Sequence, residues 1–157
     1  MSEIVKKEIR VQPICSGTVI DHITAGQALN VLKILGITGT SWGIVSILIN
    51  APSSYGKKDV VKIEGRELVS SEVDKISLIS PGATINIIRD YDVQEKNQVG
   101  IPSHVEGVVK CINPNCISNS NEPIESKFDV DAGEGKIELR CGYCERVICE
   151  NIADHLL

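Results

Sequence analysis

Six cysteines occur in the 157 residues, and four of them are spaced for metal: Cys111, Cys116, Cys141 and Cys144. They read Cys-x4-Cys, a loop of 24 residues, then Cys-x2-Cys. Thiolates paired in this way can converge tetrahedrally on one Zn²⁺, each at about 2.3 Å. Turn formers fill both gaps, Asn113-Pro114-Asn115 in the first and Gly142-Tyr143 in the second. Each pair can therefore curl back and aim both sulfurs at one point. Three other chemistries compete. Two structural disulfides need an oxidising compartment, to which nothing in the sequence points. A Cys-x2-Cys redox pair normally opens a helix in a βαβ unit, and no helical pattern follows Cys144. A catalytic zinc keeps one position for water, yet no histidine or carboxylate is placed to complete a three-ligand set. That leaves a single structural Zn²⁺. Cys15 and Cys149 lie among apolar neighbours and read as small buried hydrophobes.

A second constellation lies in the first hundred residues. In the stretch Gly56-Lys57-Lys58-Asp59-Val60-Val61-Lys62, Lys58 and Lys62 share one strand face by period two, and Lys96 can approach from a later segment. Lysines suit phosphate as point charges. On spacing alone an ordinary solvated strand face is the simpler account. Neither Gly-x4-Gly-Lys nor Gly-x-Gly-x-x-Gly occurs, so a phosphate site here is not of those kinds. Asp21 and His22, with Ser16 close by, invite a catalytic reading, but no nucleophile elbow supports it. Hydrogen bonding to structure or ligand is the better expectation for them.

The elements that must position these groups follow a simple order. Residues 9–23 read as a long strand, kinked or turned at Gly17, with Thr24 capping a helix over 25–35 and Gly36 stopping it. The nearly unbroken apolar run 43–49 predicts a central strand, turned by 50–56 into a hairpin partner over 57–63. Within that partner, Val61 and Ile63 face one way, and Lys58, Val60 and Lys62 the other. A second helix opens at Ser70 or Ser71, carries Val73, Ile76 and Ile79 as its stripe, and ends at Pro81-Gly82. Residues 84–91 alternate again, with Ile85 and Ile87 on one face and Asn86 and Ile88 on the other. The pattern is β-α-β-β-α-β, an α+β fold of the ferredoxin-like kind with both helices on one face of an antiparallel sheet. Polar residues 92–102 read as a domain boundary, and 105–110 as a strand leading into the first cysteine pair.

Composition bounds the rest. The chain is 42% hydrophobic but only 3% aromatic, so its core must be built from Ile, Val and Leu. Residues 102–157, expected to form a small all-β zinc-ribbon-like domain, are too few for a confident core and call for a metal staple. Zinc knuckles often bind nucleic acid, which makes a nucleic-acid-binding ribbon the rival function. From Cys111 onward, however, four Lys and Arg face nine Asp and Glu, and the net charge is −5. Both disfavour it, because such binding depends on clustered cations. A metal-dependent redox enzyme acting through Cys141 and Cys144 is a further rival, disfavoured once zinc holds the thiolates. The start of the chain lacks the apolar run of a signal peptide, and no stretch is long enough to span a membrane. The expectation is a soluble, cytoplasmic protein.

Taken together, these residues resemble the regulatory chains of aspartate carbamoyltransferase along nearly the whole length. The resemblance rests on Gly17-Thr18-Val19-Ile20-Asp21-His22-Ile23, Gly56-Lys57-Lys58-Asp59, Pro81-Gly82-Ala83-Thr84-Ile85-Asn86, and the four cysteines followed by Glu145. It implies a non-catalytic subunit of pyrimidine biosynthesis with a nucleotide-binding allosteric domain over 1–101 and a zinc domain over 102–157. Homodimers would bridge catalytic trimers, and ATP, CTP and UTP would be the effectors. Carried across, Val11, Ile14 and Val19 would surround the base, and Asp21, Lys62, Asn86, Ile88, Tyr91 and Val93 the ribose and base. His22, Lys58 and Lys96 would face the phosphates, which turns the two lysines of the solvated face into site positions. Asn113, Asn115 and Glu145 would meet the catalytic chain, with Arg146 where lysine is common. Pro13 and the acidic Glu8 depart from the pattern beside the base and the phosphates.

Overall fold

The computed structural model describes residues 14–40, 43–54, 56–133 and 136–157. Val11, Pro13 and Glu8 lie outside the described residues. Two antiparallel sheets follow one another along the chain. The first holds β1 (Gly17–Thr24), β2 (Val45–Ser53), β3 (Gly56–Glu64), β4 (Thr84–Arg89) and β5 (Asp92–Gln98), in the order β2-β3-β1-β4-β5. The second holds β6 (His104–Glu106), β7 (Lys127–Asp131), β8 (Glu138–Cys141) and β9 (Val147–Ile148), in chain order. Helices α1 (Ala28–Ile34) and α2 (Ser70–Ile79) cover one face of the first sheet. With β1 between β3 and β4, the first four strands have the order of a ferredoxin-like sandwich.

Period two explains the layering. Ile20, Val61, Ile63, Ile85 and Ile87 point at the helices and pack with Ala28, Val31 and Leu35 of α1 and Ile76 and Ile79 of α2. Ile20, Val31, Val61 and Ile76 are fully buried, and each contributes about 2 kcal/mol by leaving water. The alternate residues Val19, Lys62 and Asn86 take the opposite, open face. Gly17 is obligatory at the start of β1: its φ is +146°, and a Cβ there would stand 2.0 Å from the Ile63 carbonyl oxygen.

Helix α1 begins three residues later than Thr24 capping would have it. The cap comes from elsewhere. Asp59 on β3 is fully buried and accepts the N–H groups of Gly26 (3.0 Å), Ala28 (3.1 Å) and Asn50 (2.9 Å). Thr24 instead donates its N–H to Ser80 Oγ, fastening the end of β1 to the end of α2. The expected stop at Gly36 is a Schellman motif, with Gly36 N–H on Lys33 O and Ile37 N–H on Leu32 O. At α2 the Glu72 carboxylate reaches back 3.1 Å to the Val69 N–H.

Three strand expectations are corrected. The apolar strand β2 is an edge, not a centre, and leaves Ile47 and Ile49 at 39% and 47% exposure, with Ile44 just before it at 60%. Residues 92–98, expected as part of a domain boundary over 92–102, form the exposed edge strand β5, joined to β4 by a two-residue turn at Asp90-Tyr91. Both turn residues have positive φ, 53° and 67°, as the tight hairpin turn with the twist of the strands requires. The strand expected over 105–110 stops at Glu106, where Gly107 turns with φ +68°.

The two sheets share a seam. Leu78 of α2 is 1% exposed within the second core, beside Phe128, Val109 and Leu139. Ile152 and Leu156, in the C-terminal 3₁₀ turn and just after it, pack against both cores. Leu157 N–H bonds to Val108 O at 2.8 Å, and Lys75 Nζ to Leu157 O at 2.6 Å.

Candidate functional site

The second sheet brings all four expected cysteines together, with their sulfurs within 4.8 Å of one another. Cys111 and Cys144 stand 3.5 Å apart, and Cys116 and Cys141 3.6 Å. Four sulfurs each about 2.3 Å from one ion would be separated by about 3.8 Å, so the two short pairs are near tetrahedral spacing and all four sulfurs lie near enough to share one ion. Local turns build it. Cys116 N–H bonds to Asn113 O in the first gap, and Glu145, at φ 66°, sends its N–H to Cys141 O in the second. Backbone N–H groups aim at sulfur from Asn113 (3.5 Å to Cys111) and Tyr143 (3.4 Å to Cys141), and Ser118 Oγ lies 3.2 Å from Cys116 Sγ. Donors around a ligand atom orient it and stabilise its thiolate.

The thiols do not ionise alike. Burial, reinforced by the Cys144 and Cys141 sulfurs, pushes Cys111 up to about 12. The Arg146 N–H, with help from Cys111, Asn113 and Cys141, holds Cys144 down at about 6. Burial likewise raises Cys141; it also resists at Cys116, where the Ser118 hydroxyl and N–H nevertheless win and lower it. Four sulfurs this close cannot all carry charge without a cation among them, and a dication removes the conflict. The set would hold one structural Zn²⁺, and with every position taken by protein none is left for water or substrate. Cys15 is half-buried and Cys149 exposed, so the expectation of a buried hydrophobe fails for Cys149.

On the first sheet, register lines up the remaining candidates. Lys62 on β3 pairs with Val19 on β1, Val19 with Asn86 on β4, and Asn86 with Lys96 on β5. The four form one row across the open face. One step along β4, Ile88 pairs with Val93, and Tyr91 in the turn gives its N–H to Cys15 O at 2.9 Å, next to the buried Ile14. In the other direction a cleft of about 640 Å³ opens, lined by His22, Lys57, Lys58 and Lys96 with Ser53, Thr84 and Gln98. His22 reaches it from a bulge: β1 slips register between Ile20 and Ile23, and His22 has φ 56°. Asp21 lies 2.9 Å from Lys58 Nζ. Burial pushes the Asp21 carboxyl up, but the bonds from Lys58 and the His22 N–H outweigh it, and the group ionises below the usual carboxylate range.

Residues 9–100 match the family described as aspartate carbamoyltransferase regulatory chain, allosteric domain, and residues 103–154 its metal binding domain. The chain belongs to this family. It is 66% identical over 151 residues to the aspartate carbamoyltransferase regulatory chain of Methanococcoides burtonii, covering 96% of this chain and 95% of that one. Its identity is 61% over 153 residues to the regulatory chain of Methanosarcina barkeri, with 97% and 98% covered. With that of Haloarcula marismortui it is 56% over 152 residues, with 96% of each covered.

Membership in the regulatory-chain family makes this a non-catalytic subunit whose partner is a catalytic chain, and it assigns the cysteine cluster to a metal-binding domain. No helix among the described residues is long and apolar enough to cross a membrane. Lys57, Ser53, Thr84 and Gln98 line the cleft but were not candidates from sequence. A signal for two of them existed: stepping two residues from Asn86 reaches Thr84, and from Lys96 reaches Gln98, both in register with Asp21.

Proposed function

We propose that this regulatory chain binds the nucleotide effectors ATP, CTP and UTP on the open face of its first sheet. His22, Lys58 and Lys96 would face the phosphates. Asp21, Lys62, Asn86, Ile88, Tyr91 and Val93 would surround ribose and base, with Val11, Ile14 and Val19 about the base. The observation that carries this is the convergence of His22, Lys58 and Lys96 on one cleft at the end of the Lys62–Val19–Asn86–Lys96 row. Its volume of about 640 Å³ suits a small ligand. Among the described residues, Lys57, Lys62 and Lys96 have no carboxylate partner, which favours an incoming anion.

The division of labour falls between residues 1–101, for effectors, and 102–157, for zinc and the catalytic chain. Asn113, Asn115 and Glu145 would make the catalytic-chain contact; exposed Ile112 (41%), Ile117 (47%) and Tyr143 (38%) beside the cysteines support a docking face there. The apolar β2 edge supports pairing of two copies, so that a homodimer could bridge catalytic trimers. The assembly would serve pyrimidine biosynthesis in the cytoplasm, where reduced thiols persist. An effector acts on it by favouring one state of the assembly.

Calorimetric titration of ATP, CTP, UTP and their monophosphates into the zinc-loaded chain tests the site. Lys58→Ala or Lys96→Ala is expected to weaken triphosphates more than monophosphates, by about 1–3 kcal/mol each. Lys62→Ala is expected to weaken all phosphorylation states alike. Absence of binding by every nucleotide overturns the effector role.

A further inference from the structure

One cation of the cleft, Lys58, is already held by an anion beside it. Asp21 Oδ1 lies 2.9 Å from Lys58 Nζ and also accepts the His22 N–H at 2.7 Å. The second oxygen faces the His22 ring, with Nδ1 at 3.9 Å, and that nitrogen is 3.4 Å from Thr84 Oγ1. Lys58 and Asp21 are 23% and 27% exposed, so their attraction is less screened than that of a pair in open water. The backbone holds only one of the two partners. The bulge in β1 and the left-handed conformation of His22 turn the His22 N–H onto the carboxylate of the residue before it. Asp21 is thus pinned by the chain itself. Lys58 has no second bond among the described residues and can leave.

We infer that Asp21 is an internal competitor for Lys58 and thereby sets the charge a ligand must carry to occupy the cleft. The inference rests on the nucleotide-site proposal and adds a specificity-determining residue to it. A triphosphate presents several charged oxygens to Lys57, Lys58, Lys96 and His22 at once, enough to draw Lys58 away from a single carboxylate. Orthophosphate or a monophosphate gains less from the same transfer and still meets the Asp21 charge. Discrimination then comes from a built-in rival for the cation as well as from the attractive contacts. In the occupied site Asp21 is free to accept hydrogen bonds from the ligand, whose hydroxyls the nucleotide proposal already places beside it.

The test uses the full zinc-loaded chain and inorganic tripolyphosphate, a probe with the charge but no ribose or base, so that any sugar contact of Asp21 drops out. Orthophosphate is the low-charge probe and ATP the reference. Asp21→Asn is expected to raise tripolyphosphate affinity by about fivefold, the scale of one ion pair released. It should raise orthophosphate affinity by more, narrowing the ratio between the two. Lys58→Met is expected to weaken tripolyphosphate and to remove the gain, so that Asp21→Asn changes affinity less than about twofold in that background. Simple repulsion between Asp21 and the anion would survive without Lys58; a gain that persists in the double variant therefore overturns the competition. Unchanged or lower tripolyphosphate affinity in Asp21→Asn also overturns it, and Asp21→Ala provides the same readout should the Asn variant fold poorly. If the unmodified chain binds ATP and these outcomes fail, only the role of Asp21 falls. If it binds neither ATP nor tripolyphosphate, the nucleotide site falls with it.

Discussion

The two sheets are stabilised in opposite ways, and their functions are attached to them in opposite ways. The first sheet buries Ile, Val and Leu between its strands and two helices, and the effector site proposed for it lies on the face that the core does not use. The second sheet has strands of two to five residues, and three of its four metal-binding cysteines are members of its hydrophobic core. There the functional atoms and the folding atoms are the same. A site on a spare face can lose a side chain and keep its scaffold. A site made of core atoms cannot.

The sharpest way to break that comparison is to remove the metal. Chelation, or Cys141→Ser, is expected to unfold the second sheet, because structural zinc supplies on the order of 10 kcal/mol in small modules. Hydrogen exchange should show amides of β7 and β8 losing protection while β1, β3 and β4 keep most of theirs. Binding to the catalytic chain should vanish with the zinc. Protected β7 and β8 amides in a zinc-free sample would show that the second core stands alone.

Asp59→Ala comes next, and it asks how far the first sheet relies on packing alone. The substitution strands three backbone N–H groups, two at the start of α1 and one at Asn50 where β2 slips register against β3 between Leu48 and Ala51, at roughly 3–5 kcal/mol in total. Denaturant unfolding should register that loss in the first sheet, with zinc content unchanged. A loss under about 1 kcal/mol would mean water replaces the carboxylate at little cost.

Leu78→Ala probes the seam. The side chain belongs to α2 but fills the second core, so its removal is expected to destabilise by about 2–4 kcal/mol and to lower the protection of β7 as well as α2. An effect confined to α2 would separate the two regions more completely than their packing suggests.

What could be read from sequence divides along the same line. The cysteine spacing, the Gly36 stop and the alternation through 57–63 and 84–89 are local signals, and the structure realises them. The rest depended on distant partners. The unbroken run at β2 has the composition of a buried strand, yet its outer edge is left uncovered within one chain. Strand β5 is exposed at every position, so no contrast between faces existed to read. The start of α1 is set by Asp59, 31 residues after Ala28, which displaces the local cap at Thr24. The cleft was legible as two lysines on one strand. The bulge that swings His22 toward them was not, because a bulge shows only as a register slip between two paired strands.

The smallest expected effect concerns the ion pair of the open face, and it tests whether that face is dispensable to the scaffold. Asp21 ionises below the usual carboxylate range in the folded chain. A folded value below the unfolded one means the pair contributes stability above the unfolded carboxylate value of about 3.9, and loses it as pH falls through the folded value. The contribution at neutral pH should not exceed about 1 kcal/mol, because both side chains still reach solvent. Denaturant unfolding of the unmodified chain and of Asp21→Asn, followed by a first-sheet probe, should therefore differ slightly at pH 7 and converge as the pH falls through the folded value. The difference between the two proteins matters here, since acid also protonates the zinc thiolates in both. A gap well above 1 kcal/mol at neutral pH would place Asp21 among the residues that hold the sheet together. A gap that widens in acid would reverse the sign of the linkage and contradict the Lys58 and His22 bonds as its cause.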